Sequence, residues 1–225
     1  MKKRLSIRIK IAPWVGLDYE MGIKGYSENG TIIYGTAKDN AKKVMVLGES
    51  HYCANKEDEN YYLTKGIITD LINPDAKFEP YKNTYTKFGK SLSGAFDLWN
   101  NEAKRDLWQH VIFYNYVQKS MPGKRIAPSK EDFHQSEDAF FEVLETYSPD
   151  IVIVWGKRLY NSLPQKGKQL DDLVVIVGEK EEYIEVWSYN VNGKDVIILP
   201  IKHPSSAYET KFYNKVFKKI FDRLK

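Results

Sequence analysis

Four short runs of this chain are apolar without interruption: Val44-Met45-Val46-Leu47, Val111-Ile112-Phe113-Tyr114, Ile151-Val152-Ile153-Val154-Trp155 and Val196-Ile197-Ile198-Leu199. A strand with one wet face alternates apolar and polar residues. A strand covered on both faces does not. Runs of this kind, separated by segments with helical spacing, predict an α/β fold: a three-layer α/β/α sandwich around a mostly parallel sheet. Such sheets place functional groups at the carboxyl ends of their strands. Three of the runs lead into polar groups: Gly48-Glu49-Ser50-His51-Tyr52, Asn115, and His203-Pro204-Ser205. Glu, Asn and His are therefore expected to meet at one pocket.

Helices and turns fill the intervals. Ser129 with Asp132 three residues on predicts a capped helix start, and Phe133, Phe140, Leu144 and Tyr147 then recur at helical spacing before Pro149. Phe212, Val216, Ile220 and Leu224 predict a core-facing amphipathic helix. Asn29-Gly30 and Asn192-Gly193 predict hairpin turns, the second pairing a strand around Tyr183–Trp187 with Val196–Leu199. Asp58 to Lys87, polar and tyrosine-rich, reads as an irregular surface excursion. No repeat or linker divides the chain, so residues 1–225 read as one domain. Residues 1–40 read as an N-terminal appendage with a hairpin, and Leu5, Ile7 and Ile9 alternate as an edge strand would.

A chain of 225 residues can bury a substantial core without disulfides. Cys53 is the only cysteine, which excludes a disulfide framework and a cysteine-ligated cluster and points to a reducing cytoplasm. No apolar stretch has the length of a membrane span, so no membrane role is expected. A formal charge of +4 is compatible with a polyanionic partner without requiring one.

The order of motifs resembles the uracil-DNA glycosylase superfamily from about Val44 onward. A strand runs into Leu47-Gly48-Glu49-Ser50-His51-Tyr52. An aromatic-glycine segment follows as Lys87-Phe88-Gly89-Lys90-Ser91-Leu92-Ser93-Gly94, leading into a helix. A strand then ends in Tyr114-Asn115-Tyr116-Val117, and a basic loop reads Pro122-Gly123-Lys124-Arg125-Ile126-Ala127-Pro128. Ser148-Pro149-Asp150 opens a strand that closes at Gly156, and the last motif is His203-Pro204-Ser205-Ser206. The resemblance implies a glycosylase that hydrolyses the N-glycosidic bond of uracil, or a related deaminated base, in DNA during base-excision repair. It implies DNA as partner, a monomer, no metal, no cofactor and no iron–sulfur cluster.

Such hydrolysis needs support for a cationic sugar, a placed water and stabilisation of the departing base anion. The resemblance makes Glu49 and His203 the catalytic pair: Glu49 for water and sugar cation, His203 as donor to the base oxygen, where charge develops. The alternative for Glu49 is a strand-end glutamate in a salt bridge or helix cap. Asn115 offers one acceptor and one donor group to the imide edge of uracil, or serves loop backbone in a turn. Ser50 stands where related families carry an aspartate for the water. Tyr52 is placed to exclude the thymine methyl or to pack. Phe88, with Tyr85 as rival, is the stacking ring or a core residue. His51 reads as a solvent-facing loop histidine. Lys124, Arg125, Ser205 and Ser206 are expected at the DNA backbone, the two serines at a helix start suited to a phosphate or simply as its N-cap. Ser50 and His51 favour the rival function, a catalytically inactive nucleic-acid or nucleotide-binding module.

Overall fold

A computed structural model describes residues 5–36, 38–123 and 126–225. Its centre is a seven-stranded sheet. In chain order these strands are β1 (Trp14–Val15), then, after the small hairpin β2–β3 (Ile23–Tyr26, Ile32–Tyr34), β4 (Val44–Gly48). Beyond a two-residue strand β5 (His51–Tyr52) come α1 (Leu63–Ile72), α2 (Lys82–Ser93) and α3 (Asn101–Gln109), and then β6 (Val111–Asn115). The short β7 (Ser120–Met121), α4 (Lys130–Gln135) and α5 (Glu137–Tyr147) precede β8 (Ile151–Trp155). The rest is α6 (Lys157–Ser162), the strands β9 (Lys168–Val177), β10 (Lys180–Val191) and β11 (Lys194–Ile201), and α7 (Thr210–Arg223).

The sheet order is β1-β6-β4-β8-β11-β10-β9. The four apolar runs form its parallel middle, β6-β4-β8-β11, and every residue of β4, β6 and β8 is buried. The outer strands β1, β10 and β9 are antiparallel, so the sheet is mixed. Alternate strand residues enter two apolar clusters. Val44, Val46, Phe113, Ile153 and Trp155 pack with Ile68, Phe88, Trp108 and Phe217 from α1, α2, α3 and α7. Met45, Leu47, Ile112, Tyr114 and Val152 pack with Phe133, Phe140, Val143 and Leu144 from α4 and α5. Each fully buried side chain of this size stabilises the fold by roughly 2 kcal/mol.

Ser129 accepts from Asp132 N and the Asp132 carboxylate accepts from Ser129 N, closing the reciprocal cap expected at α4. The apolar spacing continues past it, but α4 and α5 are two helices that meet at Ser136. There the Ser136 hydroxyl donates to Asp132 O and accepts from Gln118 N, so the break is tied to the loop after β6. Asn192 and Gly193 adopt φ of 53° and 79°, the left-handed pair that a two-residue hairpin requires, between β10 and β11.

Three expectations are corrected. Residues 58–87 are not an irregular excursion, because α1 and the first half of α2 lie there and bury Ile68, Leu71 and Tyr85. The edge strand of the N-terminal segment is Trp14–Val15, paired with Phe113 and Ile112, whereas Leu5, Ile7 and Ile9 form no strand and Ile7 is 96% exposed. The aromatic-glycine segment expected to lead into a helix instead ends one: Lys87 to Ser93 are the second half of α2, Gly94 is its C-cap, and a Cβ at Gly89 would lie 2.2 Å from the Trp99 ring.

Candidate functional site

The parallel strands end side by side, and their last residues decide what the cleft contains. Gly48 closes β4 opposite Asn115, the last residue of β6. A side chain at Gly48 would meet Asn115 Oδ1 at 2.1 Å and the Phe113 ring at 3.2 Å, so the glycine gives the Asn115 amide its room. The chain then turns back, with Tyr116 N donating to Gly48 O and Val117 N donating to Glu49 O. Gln118 Nε2 donates to Asn115 O. Asn115 is thus held by its backbone, and no hydrogen bond among the described residues engages its side-chain amide.

β11 brings His203. Its ring stands edge-on to Trp155, the last residue of β8, at 5.8 Å between centroids. Its Cβ lies 3.5 Å from where a side chain at Gly156 would begin, and Gly156 has φ +99°, which only glycine adopts readily. The Phe113 and Trp155 rings, 5.3 Å apart, bridge the Asn115 end of the cleft to the His203 end. The Trp155 indole N–H beneath is buried and has no hydrogen-bond partner.

The protonation of His203 follows from its contacts. Ser205 N donates to Nδ1 at 3.2 Å, and Ser205 Oγ lies 2.7 Å from the same atom. A backbone N–H can only donate, so Nδ1 carries the lone pair and the neutral ring carries its hydrogen on Nε2. Burial lowers the pKa, the Glu49 charge raises it and the Arg158 charge lowers it, with a net shift downward. The imidazole is therefore neutral at pH 7, and its Nε2–H is a free donor. Ser206 Oγ donates to His203 O at 2.6 Å, so both serines of the motif serve to fix the histidine.

Glu49 follows β4 and is gripped by Arg158 in the first turn of α6. Arg158 Nε donates to Oε2 at 2.7 Å and Nη2 donates to Oε1. The Glu49 side chain is 13% exposed and that of Arg158 59%. This planar, two-bond pairing is the strong form of the arginine–carboxylate interaction. The salt bridge foreseen for a strand-end glutamate is thus present. Its partner lies 109 residues away, and no local signal in the sequence marks Arg158.

The remaining expected residues divide. Ser50 is half-buried beside Glu49, and Tyr52 is 53% exposed on β5. Phe88 has no exposed surface: it packs against Trp155 at 5.0 Å and against Phe217 at 5.9 Å, as a core residue does. Tyr85 is likewise buried among Trp108, Phe113 and Trp155. Ser205 and Ser206 are exposed, but α7 begins at Thr210 with Glu209 before it, so they stand in a turn and not at a helix start. Lys124 and Arg125 lie outside the described residues.

His51 is not in solvent. It is 4% exposed, its Nε2 lies 2.9 Å from Thr64 Oγ1, and burial lowers its pKa to about 4. It is a structural link between β5 and α1.

Two cavities lie away from the strand ends, one of about 260 Å³ beside α6 and β10 and one of about 670 Å³ around Tyr61 and Tyr62. Neither is lined by Glu49, Asn115 or His203. Among the described residues, no three His, Cys, Asp or Glu side chains are grouped to hold a metal ion, and no helix is long and apolar enough to cross a membrane. No protein-family model matches the chain, and no curated protein matches it.

Proposed function

We propose that the chain is a monofunctional DNA-base glycosylase acting on uracil or a related deaminated base, on a three-layer α/β/α sandwich of the uracil-DNA glycosylase type. The observation that carries this reading is His203: a neutral imidazole, pinned through Nδ1, with a free Nε2–H at the strand ends that also hold Asn115 and Glu49. A fixed neutral donor suits a leaving base whose oxygen gains negative charge as the bond breaks. It is ready before the charge develops and needs no reorganisation. The free Asn115 amide suits the imide edge of the same base, and the parallel order β6-β4-β8-β11 supports the fold assignment. Asn115 ends one parallel strand, and Glu49 and His203 follow the ends of two others, which is the expected distribution for a site at a sheet's carboxyl edge.

Glu49 enters this chemistry only if its carboxylate is shared. A phosphate of bound DNA competes for the Arg158 guanidinium, which recognises phosphate and carboxylate by the same forked geometry. Release of one oxygen then leaves a carboxylate near the sugar.

The test is abasic-site formation on single- and double-stranded oligonucleotides containing uracil. Cleavage by the wild type, with His203→Ala slowing single-turnover cleavage of pre-bound substrate about a hundredfold and affinity little changed, is the expected result. Equal cleavage by His203→Ala overturns the assignment.

A second reading is favoured by the closed Glu49–Arg158 pair together with Ser50: a glycosylase-like module that binds nucleic acid or nucleotide without cleaving it. Binding without abasic product on any deaminated base selects it.

A further inference from the structure

The cavity of about 260 Å³ beside α6 has no part in the reading above, and its lining is specific. Glu185, Trp187 and Tyr189 alternate along β10 and so share one face of the strand. Tyr160 and Asn161 face them from α6. Three aromatic side chains, a carboxylate and the amides of Asn161 and Gln165 thus surround one space.

The polar ends of two of the rings are tied back. Trp187 Nε1 donates to Gln169 Oε1, and Tyr189 OH donates to Pro164 O at 2.7 Å. Gly167 supports the indole, since a Cβ there would lie 2.6 Å from its Cε3. The rings are fixed without help from a ligand. The groups left over are those that meet a ligand. Tyr160 OH is buried and has only the Glu185 carboxylate beside it. The neighbouring carboxylates Glu185 and Asp172 still act on it, adding to burial in pushing the phenol's pKa up. The Glu185 carboxylate is engaged by the Tyr160 hydroxyl alone, which fixes it at the cavity wall, and the Asn161 amide has no hydrogen-bonding partner among the described residues.

The charge is one-sided. None of the lining residues is cationic. Lys166, the lysine nearby, is paired with Glu137 and lies over the Phe141 ring. Aromatic faces attract cations through their negative quadrupole, and a carboxylate adds to that field.

We infer that this cavity, built by Tyr160, Trp187, Tyr189 and Glu185, is a binding site for a small organic cation of the alkylammonium class. The chemistry is shared by free quaternary amines and by methylated lysine side chains.

The test follows the Trp187 indole N–H by NMR, assigned through its loss in Trp187→Phe. Choline stands for a free amine and N-acetyl-trimethyllysine methylamide for a modified side chain. 3,3-Dimethylbutan-1-ol is the uncharged isostere of choline. A saturable shift with either cation, and binding of the isostere about tenfold weaker or more, is expected. The tighter of the two cations identifies the source. Glu185→Gln is expected to weaken the cation several-fold and leave the isostere unchanged, with the rest of the spectrum intact as the control for folding. No saturable shift with either cation up to tens of millimolar overturns the inference, as does equal binding of the isostere.

Discussion

His51 couples stability to pH. Its ordinary pKa of 6.5 is lowered to about 4 by burial, so between those values the unfolded chain takes up a proton that the folded chain refuses. Stability is therefore full above pH 6.5 and is lost as pH falls toward 4. The loss at pH 5 is about 2 kcal/mol. Urea midpoints at pH 7 and pH 5 measure it, and His51→Gln is expected to remove most of the difference. His203 titrates differently, because two opposite charges face it. Arg158 lowers its pKa and Glu49 raises it, so Arg158→Ala leaves the Glu49 contribution unopposed. The NMR titration midpoint of the His203 ring is expected below 6.5 in the wild type and higher in Arg158→Ala. An unmoved midpoint separates Arg158 from the histidine. At this scale the sequence was legible where a residue follows a strand. Glu49, Asn115 and His203 were expected at strand ends and lie there. His51 and Arg158 were not legible, because their partners, Thr64 and Glu49, are set by how α1 and α6 dock and not by local spacing.

Two helical glycines make opposite predictions for one substitution. Gly89 in α2 touches the Trp99 ring, and a methyl group there would lie 2.2 Å from it. Gly89→Ala is expected to destabilise by about 1–3 kcal/mol through overpacking. Gly66 in α1 has nothing within 4 Å, so Gly66→Ala is expected to stabilise by roughly 0.5–1 kcal/mol through helix propensity and a stiffer unfolded chain. Denaturant midpoints of the two variants settle both signs. The same two helices mark the limit of pattern reading. α1 buries Ile68 and Leu71 at helical spacing, but the surrounding tyrosines and charges dilute the pattern below recognition. β9 carries Leu173-Val174-Val175-Ile176-Val177, a β-branched run closed by Gly178, yet it lacks the uniform burial of the central strands: Ile176 is 58% exposed. The strongly apolar elements were readable because burial on both faces leaves no other composition. The marginal ones depend on partners elsewhere.

The sheet as a whole must protect two edges. β1 limits one edge with a strand of only two residues. The other edge is β9, ten residues long, and such an edge invites pairing with a second chain. Two of its carbonyls are occupied from α7: Lys215 Nζ donates to Ile176 O at 3.3 Å, and Arg223 Nη1 donates to Asp171 O at 2.5 Å. Replacing both with alanine is expected to raise the sedimentation coefficient with concentration, where the wild type stays constant. The α/β class and the parallel middle were legible from the four apolar runs. The mixed character of the sheet was only partly so, because β1 and β9 owe their place to neighbours rather than to their own composition. The strand order has a consequence for synthesis. β4, at residues 44–48, lies between β6 and β8, and so has no complete set of neighbours until residue 155 has been made. β1 waits for a partner nearly a hundred residues downstream, since Trp14 pairs with Phe113. Contacts this distant in sequence form slowly and leave sticky strands uncovered meanwhile. A chain emerging from the ribosome would thus hold Glu49 and Asn115 long before His203 exists, and the cleft would become complete only once the segment carrying His203 has been added.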